Sequence, residues 1–272
     1  MTLRPLRLPS AALTALVAFF ALVLHEGTRA QDMLDMVDLS SDTYTKAEMS
    51  RADIEAALAK LKDGETLDLT DKSLNGLDLS KMDLRRVTFK LARLNGTNLA
   101  GANLQGVVFD QAWGLKADLT GANLRSANLF ASQFVGARFD AADLSRARLI
   151  GDYSKTSMRG ANLEGANLAA DEANQSMGLI RVSLKSADLD GAKLRGANLA
   201  RALLEYAAFT GADLTNARLN GSEAAGASFA EADVTGADFT DTDLNSARIG
   251  AMKNRSAAKN LDKAKNLERA YQ

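Results

Sequence analysis

The most regular stretch of the chain, residues 182–221, reads in groups of five VSLKS, ADLDG, AKLRG, ANLAR, ALLEY, AAFTG, ADLTN and ARLNG. Each group begins with a small apolar residue, usually continues with a polar one, and places Leu or Phe third. A period of five matches neither the 3.6 residues per turn of an α-helix nor the two-residue alternation of a β-strand. The stretch is therefore an internal repeat.

The same repeat extends over residues 67–251 as 37 groups, and 30 of them carry Leu or Phe at the third position, which we call the centre. The first and third residues are spaced by two, so they face the same way from a short extended segment. The other residues turn a corner and face water. One group cannot bury a core alone, but stacked coils of such groups can.

Aromatic centres indicate how many groups make one coil. Phe89 and Phe109 are twenty residues apart, as are Phe209 and Phe229, so every fourth group falls in one column. The groups that best show the pattern are ADLTG (117–121), ANLRS (122–126), ANLEG (161–165) and GADLT (211–215). They closely resemble the pentapeptide-repeat family, A(D/N)LXX, over residues 67–251. The resemblance implies an all-β fold, a right-handed four-sided β-helix of about nine coils.

The N-terminus has the features of a secretory signal. Arg4 and Arg7 precede an apolar run over residues 11–24, and a small-x-small tripeptide ends at Ala30. The run of about fourteen residues is shorter than the ~20 that span a membrane. We predict a signal peptide over residues 1–30, cleavage after Ala30, a periplasmic or secreted protein, and no stable membrane insertion after cleavage.

Two segments flank the repeat. Residues 31–66 comprise an acidic leader to residue 44 and a helix near 46–62, predicted from the capping-box spacing of Thr45 and Glu48. Its apolar residues are expected to cover the first coil. Residues 252–272 place apolar side chains three and four apart, which predicts an amphipathic helix covering the last coil. A dimerising helix is the alternative, so the protein is expected to be a monomer or a dimer.

The composition excludes several kinds of function. The only His, His25, and both prolines lie within the predicted signal, and the chain has no Cys. Zinc sites, serine–histidine triads and cysteine nucleophiles each lose a necessary member. A net charge of −1 gives no support to nucleic-acid binding, which needs a basic surface. Asp188 with Asp190, and Asp241 with Asp243, have the spacing of calcium ligands but are interpreted as solvated surface. We predict no enzyme activity, no cofactor and no metal.

The repeat is irregular at two places. Leu149 to Met158 spans nine residues instead of ten, with Ser154 read as a centre, and Ala173 to Leu179 spans six instead of five. One interpretation is repeat decay, in which the two irregularities accommodate each other on neighbouring coils. The other is a site on an irregular edge, because irregular backbone on a rigid scaffold often carries function. Its residues are Asp152, Tyr153, Asp171 and Glu172.

Outward positions near the third to fifth coils are unusually apolar. The pattern puts Val108, Phe130 and Ile150 on one side, and Trp113, Leu115, Val135 and Tyr153 on the next. Contiguous exposed apolar surface usually marks an interface, and aromatic residues are its usual anchors. The alternative is that Trp113 or Leu115 folds inward to fill the space left by Gly114.

These features favour a non-catalytic exported scaffold that presents a surface to an unidentified protein partner. The alternative is a small-ligand or carbohydrate binder that uses Trp113 and Tyr153 with the acidic edge. The family resemblance also suggests a third role, since some members mimic DNA and thereby protect DNA gyrase from quinolone drugs. That mimicry needs a long acidic surface, and here Arg and Lys are interleaved with the acids.

Overall fold

The structure, a computed structural model, describes residues 41–171 and 180–272. The predicted signal peptide, the leader up to residue 40, Glu172 and the insertion at 173–179 lie outside the described residues.

Parallel backbone pairing between residues twenty apart builds the fold. Ser73 pairs with Arg93, Asp78 with Asn98, and Asp83 with Asn103, and the same spacing recurs along the repeat except around the two irregularities and in the last coil. Four five-residue groups therefore complete one coil of a four-sided β-helix, as predicted. We number the sides by the centres of the first coil, so that sides 1 to 4 carry Leu69, Leu74, Leu79 and Leu84. The number of coils stays a prediction.

Most sides are too short to form more than a single bridge between coils. Two parallel pairs are longer: β1 (Leu67–Asp68) with β2 (Val87–Thr88), and β3 (Asn128–Gln133) with β4 (Arg148–Asp152). The second pair lies at the irregular part of the repeat.

The core is formed by the columns of centres. Phe89 stacks on Phe109 with ring centroids 5.1 Å apart, and Phe209 stacks on Phe229 at 5.2 Å. These contacts confirm the twenty-residue aromatic spacing. The small residue two positions before most centres is also buried, because neighbouring sides meet there. Burying one Leu or Phe side chain contributes roughly 1.5–3 kcal/mol, so the columns dominate the stability of the coil.

The polar second position of the repeat shapes the corner. Its carboxylate or amide oxygen accepts a hydrogen bond from the backbone N–H two residues later, as between Asp68 and Thr70 (2.9 Å) and between Asp118 and Thr120 (3.0 Å). Such local bonds stabilise turns. The fifth position then takes a left-handed conformation, which Gly adopts freely, as at Gly121 with φ +64°.

The N-terminal segment covers the first coil. It contains α1 (Asp42–Thr45) and α2 (Arg51–Ala59). Ile54 is fully buried, and the Arg51 guanidinium donates to the carbonyl oxygens of Asp78 and Ser80 at 3.2 Å. The predicted covering helix is confirmed, but it is shorter than expected.

The predicted capping box of that helix is wrong. Ser50 and Asp53 form it: the Ser50 Oγ accepts from the Asp53 N–H, and the Asp53 carboxylate accepts from the Ser50 N–H at 2.8 Å. Thr45 instead ends α1, where its hydroxyl donates to the Ser41 carbonyl. The helix begins later because the preceding residues are paired to the β-helix, as between the Glu48 N–H and the Ser73 carbonyl.

The C-terminal amphipathic helix is also wrong, because the chain winds a further coil with six residues on each side. Lys253, Lys259 and Lys265 pair in parallel with residues of the coil before. Short 3₁₀ turns form the corners at Arg255–Ala257, Leu261–Lys263 and Leu267–Arg269.

Asparagine explains this last coil. Asn254, Asn260 and Asn266 have φ of 54°, 52° and 55°, a left-handed conformation that Asn tolerates well. Their amides donate to the carboxylates of Asp233, Asp238 and Asp243 at 3.1, 3.1 and 2.8 Å. The signal in the sequence is the dipeptide Lys-Asn, which recurs every six residues. A spacing of six residues is twice the three-residue spacing found on one face of a helix. The sequence of the last coil therefore resembles a helical pattern.

We expect acid to destabilise the protein through these aspartates. The Thr235 hydroxyl, the Asn254 amide and the Thr235 N–H lower the pKa of Asp233, and Ser80 and Arg51 lower the pKa of Asp78. A lowered folded pKa gives stability that is present above the unfolded value of about 3.9 and is lost as pH falls through the folded value. Thermal unfolding midpoints should therefore hold from pH 6 to about pH 4 and drop as the pH falls further.

The matched control is Asp233→Asn, because asparagine occupies the same repeat position elsewhere and does not titrate. Its unfolding midpoint should fall less over the same pH range. An identical pH dependence in the variant and the wild type would contradict the conclusion that Asp233 contributes to the loss of stability in acid.

Candidate interaction surface

The predicted apolar residues lie together at the corner between sides 1 and 2. Val108 pairs with Asn128, Trp113 pairs with Gln133, and Phe130 pairs with Ile150 in the register of β3 and β4. Five of the seven are half-buried and face outward: Val108, Trp113, Leu115, Phe130 and Val135. The structure buries the other two, Ile150 and Tyr153.

The outward placement of Tyr153 is wrong. Its ring is fully buried and stacks on Phe134 with centroids 5.9 Å apart. Its hydroxyl lies 2.7 Å from the Ser132 Oγ and donates to the Leu129 carbonyl at 3.2 Å. Desolvation by burial raises the pKa of Tyr153 far above its ordinary value. The missing residue lies before Tyr153, so that Tyr153, and not Ser154, becomes the centre of its group.

A bulge in the preceding coil absorbs this deletion. The register of β3 and β4 shifts between Phe130 and Ser132, which leaves Ala131 as the extra residue of β3. Gly151 opposes the bulge, and a Cβ there would overlap the backbone of Ser132.

The predicted one-residue insertion is wrong, because Asp152 pairs with Ser183 and Asn167 with Asn198, 31 residues apart instead of twenty. The deletion before Tyr153 is matched by the bulge and not by this longer insertion.

Ile150 does not belong to the exposed surface, since its side chain is only 1% exposed. It faces away from the main core, beside the residues that flank the insertion. Asp171 and Ile180 form an antiparallel bridge, and the Asp171 carboxylate accepts a bond from Arg148 at 3.1 Å. This pairing brings the ends of the insertion against side 1, where Ile150 lies.

Gly114 does not make Trp113 or Leu115 fold inward. A Cβ at Gly114 would overlap ring atoms of Phe134, which is the centre of the next coil on the same side. Phe134 thus fills the space that the glycine leaves, and the alternative for Trp113 is wrong.

Trp113 faces outward and is partly covered by the N-terminal segment. The Tyr44 ring lies 5.8 Å from it, tilted by 37°. The Asn75 amide donates to the Thr43 carbonyl at 3.2 Å, and the Lys72 ammonium lies 2.9 Å from the Glu48 carboxylate. Residues 41–48 therefore cross side 2 over the first three coils. This contact could not be expected from a repeat pattern.

Phe130 lies in the middle of a cluster of apolar and charged side chains. The Arg148 guanidinium carbon lies 4.2 Å from the centre of the Phe130 ring, a cation–π contact, and the same guanidinium is bonded to Asp171. Burial raises the pKa of Asp110. A hydrogen bond with the Phe130 backbone and the positive charges of Arg148 and Lys90 oppose this rise. Sequence reasoning missed Arg148 and Asp110, because both occupy positions that are normally polar.

The described residues of the acidic edge, Asp152, Tyr153 and Asp171, make separate contacts. The Asp152 carboxylate accepts the Ser154 N–H at 2.9 Å, as in the other corners of the repeat. Asp171 pairs with Arg148, and Tyr153 faces inward. Arg159 lies 2.8 Å from Asp188 and 3.8 Å from Asp190, so its charge offsets part of the negative charge of that pair. Within residues 41–171 and 180–272, no group of three or more His, Cys, Asp or Glu is placed to hold a metal ion.

The same ranges contain no helix of the length and apolarity needed to cross a membrane.

Trp113 is the only tryptophan of the chain, so its fluorescence reports on the N-terminal segment. We expect Tyr44→Ala to shift the emission to longer wavelength, because removing the Tyr44 ring exposes the indole to water. Tyr206→Ala, which removes an exposed ring on another corner, is the control and should leave the emission unchanged. An unshifted spectrum for Tyr44→Ala would show that Tyr44 does not cover Trp113.

The pairing of Gly114 with Phe134 is tested by a double mutant. Gly114→Ala should lower the free energy of unfolding by about 1–3 kcal/mol, because the added methyl overlaps the Phe134 ring. Phe134→Leu opens space for that methyl, so the double variant should be less destabilised than the sum of the single variants. Additive losses in denaturant unfolding would argue against the contact.

Comparison with known proteins agrees with this architecture. A family model described as Pentapeptide repeats matches residues 73–111, 92–129, 116–146, 183–221 and 225–249, in eight copies. No curated protein sequence matches the chain.

Several solved structures are similar. HetL, a pentapeptide repeat protein involved in heterocyst differentiation regulation in the cyanobacterium Nostoc, is 24% identical, with 82% of this chain and 95% of HetL covered and a TM-score of 0.45. QnrB1, a plasmid-mediated fluoroquinolone resistance protein, is 16% identical, with 74% and 92% covered and a TM-score of 0.44. A thylakoid-lumen protein of Arabidopsis thaliana is 23% identical, with 56% and 67% covered and a TM-score of 0.16.

The matched segments cover more than half of the chain and coincide with the observed coils. The chain belongs to the pentapeptide-repeat family, whose members fold as right-handed β-helices.

Proposed function

We propose that the protein is a non-catalytic exported scaffold whose rigid β-helix presents one corner to a protein partner. We call this corner the recognition corner and define it by its outward residues Val108, Leu115, Phe130, Val135 and Arg148. The observation that carries the proposal is the half-exposed Phe130 ring held beneath the Arg148 guanidinium.

The chemistry of the recognition corner suits protein binding. Aromatic and Arg side chains are the residues that most often anchor interfaces, particularly when apolar neighbours exclude water around them. Asp171, whose side chain is 7% exposed, fixes the Arg148 guanidinium from the other side. The Phe130 ring and its cation are therefore already in place before a partner arrives.

The β-helix keeps this corner rigid. Phe130 lies in β3 and Arg148 in β4, and these strands are paired to each other and to the coils on either side. A preorganised surface loses little conformational entropy on binding, which favours affinity.

A catalytic role is not favoured. Members of the family are generally non-enzymatic scaffolds. Leu, Phe and Ala side chains fill the interior of the β-helix, so the described residues form no deep cleft at the recognition corner.

Export is the second part of the proposal and rests on the first thirty residues. N-terminal sequencing of the protein isolated from its native host should give Gln31 as the first residue, in the periplasmic or secreted fraction. A protein that starts at Met1 in the cytoplasmic fraction would overturn this part.

Crosslinking in the native envelope tests the recognition corner. We expect one protein to be captured by the wild type and lost with Phe130→Ser and with Arg148→Gln, because these remove the ring and the cation above it. Leu203→Ser changes a half-buried outward residue of side 2 that lies in the column of Trp113 and Gln133 but several coils further along, and it is the control that should retain capture. Equal capture by all variants would refute the assignment of this corner.

Mimicry of DNA is disfavoured by the pairing of the acids. Arg138, Arg159 and Arg195 lie 3.6, 2.8 and 2.9 Å from the carboxylates of Asp118, Asp188 and Asp213. A surface with cations among its acids does not reproduce the uniform charge of DNA. Purified protein should therefore leave supercoiling by DNA gyrase unchanged. A clear effect on supercoiling would instead favour DNA mimicry.

A further inference from the structure

A single aromatic ring stands exposed on another corner of the β-helix. The Tyr206 side chain is 72% exposed and lies at the corner between sides 2 and 3, several coils beyond the recognition corner. Its φ of +60° is left-handed, and it is the only aromatic residue among the non-glycine residues with positive φ in the described part of the chain. Left-handed backbone is usual at this position of the repeat, as at Leu91 and Arg201, so Tyr206 is distinguished by its exposed ring and not by its backbone.

The neighbouring coil holds the Tyr206 ring in a fixed position. Gly226 occupies the same corner one coil later, and a Cβ there would lie 2.6 Å from two carbons of the ring. The edge of the ring formed by Cδ1 and Cε1 therefore lies over Gly226, and most of the ring is open to solvent. At this corner Ser186 lies one coil before and Ser246 two coils after, and both have short side chains, while Lys185 and Glu205 are the longer side chains nearby.

Polar side chains neighbour Tyr206 along the chain and in the same column of the β-helix. Glu205 precedes the ring, and its Oε1 is 2.6 Å from the Lys185 ammonium. Its Oε2 is buried and has no hydrogen-bond partner within the described residues. An unsatisfied buried oxygen is costly, and a ligand hydroxyl that enters beside Lys185 would satisfy it. Asn245 follows in the same column two coils later.

We propose that Tyr206 is a carbohydrate-binding platform, on which a sugar ring of an oligosaccharide stacks while its hydroxyl groups bond to the flanking polar side chains. A flat aromatic face complements the C–H face of a pyranose ring, and the surrounding donors and acceptors match its hydroxyl groups.

A protein partner fits this platform less well. Protein interfaces bury roughly 800 Å² on each side and use several apolar anchors that are clustered together. Only one other large apolar side chain is highly exposed in the described ranges, Tyr271 in the last coil. An isolated ring among polar residues matches one sugar at a time.

The test is titration of the full-length mature protein with two neutral oligosaccharides, cellohexaose and tetra-N-acetylchitotetraose, followed by calorimetry and by NMR of the tyrosine ring signals. We expect binding of at least one sugar, with an affinity at least about tenfold weaker for Tyr206→Ala and nearly unchanged for Tyr206→Phe, which keeps the ring. Phe130→Ser, in the recognition corner, should bind the sugar like the wild type, so this test fails or succeeds independently of the proposed function.

Gly226→Ala provides a sharper variant, because it leaves Tyr206 in the chain but pushes the ring off its support. Gly211→Ala is the matched control: Gly211 has φ +66°, close to the +68° of Gly226, but nothing lies within 4 Å of its added Cβ. We expect sugar binding to be lost in Gly226→Ala and kept in Gly211→Ala. Absence of binding to either sugar, equal binding by Tyr206→Ala, or binding of decaproline in place of both sugars would overturn the proposal.

Discussion

The parallel hydrogen bonds between neighbouring coils are the constraint on which the rest of the structure depends. The residue before each centre donates to the coil below, as from Asn98 to Leu77, and the centre itself donates to the coil above, as from Leu99 to Asp118. Both bonds are made only if the chain returns to the same column. The two inward side chains of every group are thereby stacked on those of the next coil.

This ladder tolerates sides of different length because surplus residues move into corners. A bulge at Ala131 offsets the short side that leads to Tyr153, and the last coil keeps its bridges with six residues per side. In each case the residue that precedes the centre still pairs, and the turn changes instead. The repeat unit is therefore better defined by its pairing column than by a length of five.

The repeat allowed the sides, the centres and the aromatic columns to be predicted, because each depends on local spacing alone. Tyr153 was misplaced because a one-residue deletion can be accommodated before or after it, and only the packing against Phe134 decides. The last coil was missed because a period of six imitates helical spacing. Contacts such as Tyr44 with Trp113 and Arg148 with Phe130 join distant positions that no local pattern relates. Most of the fold, and only part of the candidate surface, was therefore predictable.

Glycine makes room for an aromatic ring both inside and outside the β-helix. Coils lie roughly 4.8 Å apart, so an aromatic ring can lean over a neighbouring coil only where that coil lacks a Cβ. Phe134 leans inward over Gly114, and Tyr206 leans outward over Gly226. The inner pair is explained by core packing, because the ring fills space that water would not occupy. The outer pair buries little, because the Tyr206 side chain is 72% exposed, so core packing does not account for it. A ring that is held over a neighbouring coil and stays open to solvent is what a binding platform requires.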